Sequence, residues 1–120
     1  MEIRAIRGAV QIAVDSKEAM RTGVQELIAK ILAENSLAIE DLISIFFTAT
    51  PDLISDFPAA SARGLGLDAI PLICAVEIAV PGALPRTIRA LVHCRSSLSH
   101  REIRHIYLGG AASLRQDLAQ

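Results

Sequence analysis

Tryptophan is missing from this 120-residue chain, and one tyrosine and three phenylalanines are its whole aromatic complement. A core without large rings has to be filled by Ala, Ile, Leu and Val, and the hydrophobic share of 52% is built mainly from these. Lysine is scarce as well, since ten of the twelve cationic residues are Arg. The net charge of -1 leaves no basic surplus for nucleic acid. No run of about 18 uncharged apolar residues occurs, and Met1-Glu2-Ile3-Arg4 does not lead into a signal-peptide core, so the expected location is the cytoplasm. Cys74 and Cys94 both lie in apolar, strand-like stretches and read as reduced core residues rather than a disulfide. Neither stands at metal-ligand spacing from His93, His100 or His105. Serine-hydrolase, Walker, dinucleotide-binding and zinc signatures are absent, which removes support for the common routes to nucleophilic, phosphoryl and metal chemistry.

What is present reads as one domain over residues 1–120, with no repeat, low-complexity run or linker. Its apolar share is high for so small a chain, so subunits are expected to bury part of it against each other. Glu2 to Val14 reads as a first strand carrying Arg7, with a possible irregularity at Gly8. Asp15 or Ser16 then caps a helix whose apolar face is Met20, Val24, Leu27, Ile28, Ile31 and Leu32, and Asn35 is its stop. Leu42 to Ala49 is a buried strand, broken by Thr50-Pro51-Asp52. Asp56-Phe57-Pro58 opens a short helix over Ala59 to Leu65 that ends at Gly66. Ile70 to Val80 is the third strand, closed by Pro81-Gly82, and Thr87 to Arg95 the fourth. Ser99 to Glu102 has capping-box spacing and starts a short helical segment before a last strand around Ile103 to Leu108. Gly109-Gly110 ends that strand, and the remaining residues are too few for a further element. The fold class is α+β, close to α/β: a mixed sheet of about five strands packed by one long and one or two short helices.

Arg7, Glu77, Arg89 and Tyr107 interrupt or end these apolar strands. An unpaired ion buried in a compact domain costs several kcal/mol. The preference for Arg adds a planar fork that grips carboxylates with two parallel hydrogen bonds. Together they point to a small anion bound where the strands converge.

Ile3-Arg4-Ala5-Ile6-Arg7-Gly8-Ala9, Thr48-Ala49-Thr50-Pro51-Asp52-Leu53, Phe57-Pro58-Ala59 with Arg63, Pro71 with Cys74 and Glu77, Ile88-Arg89, Ile103-Arg104-His105-Ile106-Tyr107-Leu108 and Leu114-Arg115 follow one another in order. In this the chain resembles, over nearly its whole length, the monofunctional chorismate mutases of the type found in Bacillus, the trimeric mixed α/β family. The resemblance implies a barrel-like homotrimer with active sites between subunits. It implies an isomerase of aromatic amino-acid biosynthesis, in the shikimate pathway, that rearranges chorismate to prephenate without cofactor or metal. Such a pericyclic shift needs no nucleophile and no proton transfer, which fits the missing motifs. Catalysis then rests on holding the enolpyruvyl ether in its compact conformer and stabilising charge as the C–O bond breaks.

By the same resemblance, Arg89 donates to the ether oxygen and a carboxylate, and Arg7 and Tyr107 bind a carboxylate. Glu77 accepts from the ring hydroxyl and favours partial positive charge on the ring. Cys74 joins the substrate-binding set, although residues three apart on a regular strand point to opposite faces, so a β-bulge before Glu77 or a backbone contact is expected. Phe57, Ala59 and Arg63 reach a neighbouring subunit's pocket, Leu114 and Arg115 join the substrate-binding set, and Arg115 closes the pocket mouth as an electrostatic guide. Two departures stand out: Ala60 where the family often has lysine, and Ile73 where threonine is common, so one cationic and one hydroxyl contact are missing. The three histidines read as structural. A trimeric binder of small dicarboxylates that does not turn them over, and an imine deaminase-like enzyme of similar trimeric shape, remain as alternative functions.

Overall fold

Ser16 starts the long helix α1 (Lys17–Glu34): its Oγ accepts the Ala19 N–H at 3.0 Å, filling one of the donors that every helix start leaves open. The structure is a computed structural model and describes residues 1–114. Along α1 the buried positions Met20, Gly23, Val24, Leu27, Ile28 and Ile31 recur at helical spacing and lie against strand β1 (Glu2–Gln11). Two glycines set how closely they approach. A Cβ on Gly8 would come within 2.8 Å of Ile31 Cδ1, and one on Gly23 within 2.7 Å of Ile12 Cγ2. Gly8 is therefore a packing contact inside an uninterrupted ladder, not the irregularity expected from the sequence.

The remaining elements are β2 (Leu42–Ala49), α2 (Pro58–Arg63), β3 (Leu72–Val76), β4 (Thr87–Ser96) and β5 (Ile106–Leu108). The sheet runs β3-β2-β4-β1-β5, antiparallel at β2/β4 and β4/β1 and parallel at its two outer pairs. It is mixed and five-stranded, as the sequence suggests. Helix α1 covers one face, where Ile6, Val10, Ile45, Phe47, Ile88, Ala90 and Val92 form the core with it. The opposite face has no covering element among the described residues, and there Ile3, Phe46, Ile73 and Leu91 are exposed.

Several boundaries differ from expectation for identifiable reasons. Strand β3 ends at Val76 rather than Val80 because its partner β2 ends at Ala49; one further bond, Glu77 N–H to Ala49 C=O at 2.9 Å, closes the ladder. Helix α2 starts one residue earlier, at Pro58, and ends two earlier, at Arg63, its end tightened by i to i+3 bonds from Gly64, Leu65 and Gly66. Ser99 to Glu102 forms one half of the expected capping box, Ser99 N–H to Glu102 Oε1 at 2.8 Å, while the Glu102 N–H returns to the Ser99 carbonyl at 3.0 Å, and the segment makes a single turn and no helix. A 3₁₀ segment over Gly109–Ser113 follows β5, where no further element was expected.

Asn35 ends α1, yet not by a left-handed backbone: its φ is -109°, and Ser36 takes the positive φ of 52°. The fully enclosed Asn35 amide instead bonds across the fold. Its Nδ2 donates to the Ile31 and Arg104 carbonyls, both at 2.9 Å, and its Oδ1 accepts the Arg104 N–H at 2.8 Å. These bonds hold residues 104–105 away from the sheet and limit β5 to three residues. Truncation strands two buried carbonyls and an N–H, so Asn35→Ala is expected to lose about 2–4 kcal/mol of stability in urea unfolding.

Candidate active site

Tyr107, Ala9, Arg89, Thr48 and Ala75 lie side by side across all five strands, each opposite the next in the strand register. Residues directly opposite one another share a face, here the uncovered one. Arg7 lies in the next row, opposite Leu91 and in line with Phe46 and Ile73. A cavity of about 370 Å³ opens over these rows, lined by Arg7, Phe46, Thr48, Arg89, Leu91 and Tyr107. Residues separated by most of the sequence thus reach one concavity.

Glu77 arrives on the same face because it follows Ile73 and Ala75 in alternation, and its backbone bond to Ala49 preserves that alternation past the end of β3. Its carboxylate accepts the Arg89 Nε at 3.1 and 3.2 Å and the Thr48 Oγ1 hydroxyl at 2.7 Å. The Glu77 side chain is 16% exposed and that of Arg89 44%. Arg89 is tethered through Nε alone, so both Nη groups keep their donors free among the described residues.

The start of β4, and with it Arg89, is fixed to the end of β2 by a second polar junction. Thr50 and Thr87 bond backbone to backbone at 3.0 Å, the Thr87 N–H donates to Thr50 Oγ1 at 3.0 Å, and Asp52 accepts the Arg86 N–H at 2.9 Å. The Thr50 hydroxyl, with the Arg86 and Asp52 backbone donors, holds the Asp52 carboxyl below its ordinary range.

Cys74 does not share this cavity within one chain. Register β2/β3 runs from Leu72 to Val76 without a bulge, so the thiol faces α2, where Sγ accepts the Ala59 N–H at 3.4 Å. It lines a separate cavity of about 620 Å³ with Lys17, Ile54, Phe57 and Val76. Phe57 is 70% exposed there, Ala59 is buried beside it, and Arg63 projects from the end of α2 into solvent. Ala60 and Ile73 are both exposed. Leu114 is partly buried after the 3₁₀ segment, and Arg115 lies outside the described residues.

Residues 3–118 match the family model for chorismate mutase type I. The chain is 42% identical to the chorismate mutase AroH of Thermus thermophilus over 117 residues, covering 97% of this chain and 96% of that one. It is 37% identical to AroH of Bacillus subtilis over 120 residues, 99% of this chain and 94% of the other. This chain belongs to the type I chorismate mutases. A solved chorismate mutase from Clostridium thermocellum superposes with a TM-score of 0.90 at 37% identity, over 92% of this chain and 98% of that one. As a chorismate mutase the chain is an isomerase, in agreement with its lack of nucleophile and metal motifs. None of its described helices is long and apolar enough to cross a membrane.

Sequence reasoning missed Thr48 as a site residue, although it opens the Thr48-Ala49-Thr50-Pro51-Asp52 motif. Its parity with Phe46 on a strand flanked by β4 and β3 was the available signal, but strand order could not be known in advance. Thr48→Val removes the hydroxyl that orients the Glu77 carboxylate while keeping the side chain's shape. Turnover of chorismate is expected to fall about tenfold with the melting temperature nearly unchanged, as followed by chorismate absorbance and thermal unfolding.

Proposed function

We propose that this chorismate mutase works by conformer selection and electrostatic stabilisation, with Arg7, Glu77, Arg89 and Tyr107 as the acting groups. The observation that carries this reading is the meeting of Arg7, Arg89 and Tyr107 in one cavity whose floor is apolar. Arg7 and Tyr107 grip a carboxylate of chorismate, the first by charge and the second by its phenolic hydroxyl. Arg89, tethered by Glu77 at Nε, turns its free Nη donors to the ether oxygen and a carboxylate. As the C–O bond breaks, negative charge grows on that oxygen, and a donor already in place stabilises it with little reorganisation. Glu77 accepts from the ring hydroxyl and balances positive charge developing on the ring.

Active sites lie between subunits of a homotrimer in this reading. The cavity around Phe57 and Cys74 is the other half of a site, and docks over the Arg7 and Arg89 cavity of a neighbouring copy. This assignment gives Cys74 a place near substrate without a bulge, because it approaches from a second chain. Support comes from the exposed Phe57 and from the exposed Ile3, Phe46, Ile73 and Leu91 on the sheet face, an apolar patch of the kind that subunits cover.

Purified protein is expected to consume chorismate, seen as loss of its absorbance. A simple dicarboxylate binder would hold chorismate unchanged, and an imine deaminase would release ammonia from an imine substrate instead. Arg89→Lys keeps the charge but loses the fork, so kcat is expected to fall on the order of 10² or more with stability little changed. Near wild-type turnover in that variant removes Arg89 from its assigned role. Sedimentation equilibrium tests the trimer, for which a monomeric mass at assay concentration is the contrary result.

A further inference from the structure

The strand pairing of β1 with β5 begins at Gly8, opposite Ile106. One residue earlier, the Arg7 N–H faces the same edge with no strand beside it. An unpaired donor there would let the end of the ladder fray and carry Arg7 with it. The bond is made instead by a side chain: the Arg7 N–H donates to His105 Nδ1 at 2.9 Å. A ring nitrogen accepts only when it carries no proton, so this bond requires the neutral imidazole with its proton on Nε2.

His105 is itself held from the far side. Asn35 grips both backbone groups of Arg104, the preceding residue, and is anchored to the last turn of α1 through Ile31. The C-terminal end of α1 is thereby tied to the backbone of Arg7, whose guanidinium has no hydrogen-bond or ion-pair partner among the described residues.

We propose that His105 is a positioning residue for chorismate binding: its Nδ1 continues the sheet ladder by one bond and so fixes the backbone from which Arg7 reaches the substrate carboxylate. This inference rests on the reading of Arg7 as a carboxylate-binding residue.

Charges around the ring favour the neutral form. His105 is partly buried, and desolvation first and the Arg7 cation second push its pKa below the ordinary 6.5. The adjacent Arg104 is paired with Glu34 of α1 at 3.9 Å. Because the folded chain binds this proton less readily than the unfolded one, the ring's contribution is complete above about pH 6.5 and is lost as pH falls from there through the folded pKa. The Arg7 tether itself is expected to loosen only as the folded ring takes up its proton, below the ordinary 6.5.

The test compares His105→Asn, His105→Gln and His105→Ala with the wild type, assayed for chorismate loss from about pH 5 to pH 8. Asparagine places an acceptor where Nδ1 stands, whereas glutamine places one near Nε2. His105→Asn is expected to keep kcat/KM within about twofold, while His105→Gln and His105→Ala lose about tenfold, mostly through KM. The acid fall of kcat/KM in the wild type is expected to be absent from His105→Asn. Amide exchange at Arg7, read by NMR, gives a measure free of turnover: protected in the wild type and His105→Asn, fast in His105→Gln. A merely structural histidine would lower melting temperature while leaving KM and Arg7 exchange alike in the asparagine and glutamine variants, and that result overturns the proposal. Should His105→Ala fail to fold, the Asn and Gln pair still decides. Should the wild type leave chorismate intact, the functional reading falls while Arg7 exchange continues to judge the tether.

Discussion

A side chain on a strand faces one side of its sheet or the other, and this two-residue period decides which charged groups of the chain can act together. Odd positions of β1, β3 and β4 and even positions of β2 share the uncovered face. Arg7, Glu77 and Arg89 meet Thr48 there, while Cys74 is turned away. One residue of slip between β4 and either neighbour would move Arg89 under α1, where no partner waits for it. Register is therefore the constraint beneath the chemistry. It is fixed by tight packing of α1 on Gly8, and by the Thr50, Asp52, Arg86 and Thr87 junction at the head of β4.

Around that frame, each of two arginines has its own tether, and neither tether uses the atoms best suited to a carboxylate. Glu77 takes Arg89 by Nε, and His105 takes Arg7 by its backbone N–H. The guanidinium ends stay available. Long flexible side chains lose rotamer entropy when a ligand fixes them, about 1.5–2 kcal/mol for an arginine, so the Glu77 bond to Arg89 in the free protein reduces what binding has to supply, whereas the His105 bond fixes only the backbone from which Arg7 reaches. A pericyclic reaction gains more from this than most. It has no nucleophile to activate, and most of its acceleration must come from geometry and fixed charge.

Local features of the sequence translated well into structure, and features that depend on neighbours did not. Leu42 to Ala49 is a strand over those same residues, and Ser16 and Asn35 bound α1, because apolar patterning and cap chemistry are properties of a few adjacent residues. The ends of β3 and β5 were misjudged because a strand stops where its partner stops, and the partners, β2 and the Asn35-held segment, are remote in sequence. Within the site, the four residues that break apolar strands were visible as anomalies. Thr48 was not, since a threonine in a strand is ordinary until Glu77 is found beside it. Nor was His105, whose role lies in one backbone bond across 98 residues of chain separation.

Assembly and catalysis are coupled, on the proposed trimer, through solvent. Arg89 in the single chain is 44% exposed on its side chain, and a charge so close to water interacts weakly, about 1 kcal/mol at 4 Å in bulk. The same pair at an effective dielectric of about 20 is worth roughly four times as much. Covering the Arg7 and Arg89 cavity with the Phe57 segment of another copy would remove water from around the Arg89 and Glu77 pair. Phe57 is suited to this task by being apolar and exposed, and Ala60 beside it brings neither charge nor a polar group. On this argument the second subunit acts chiefly as a lid that lowers the local dielectric, and with Ala60 in place of a cation its Phe57 segment has Arg63 as the charge it can bring.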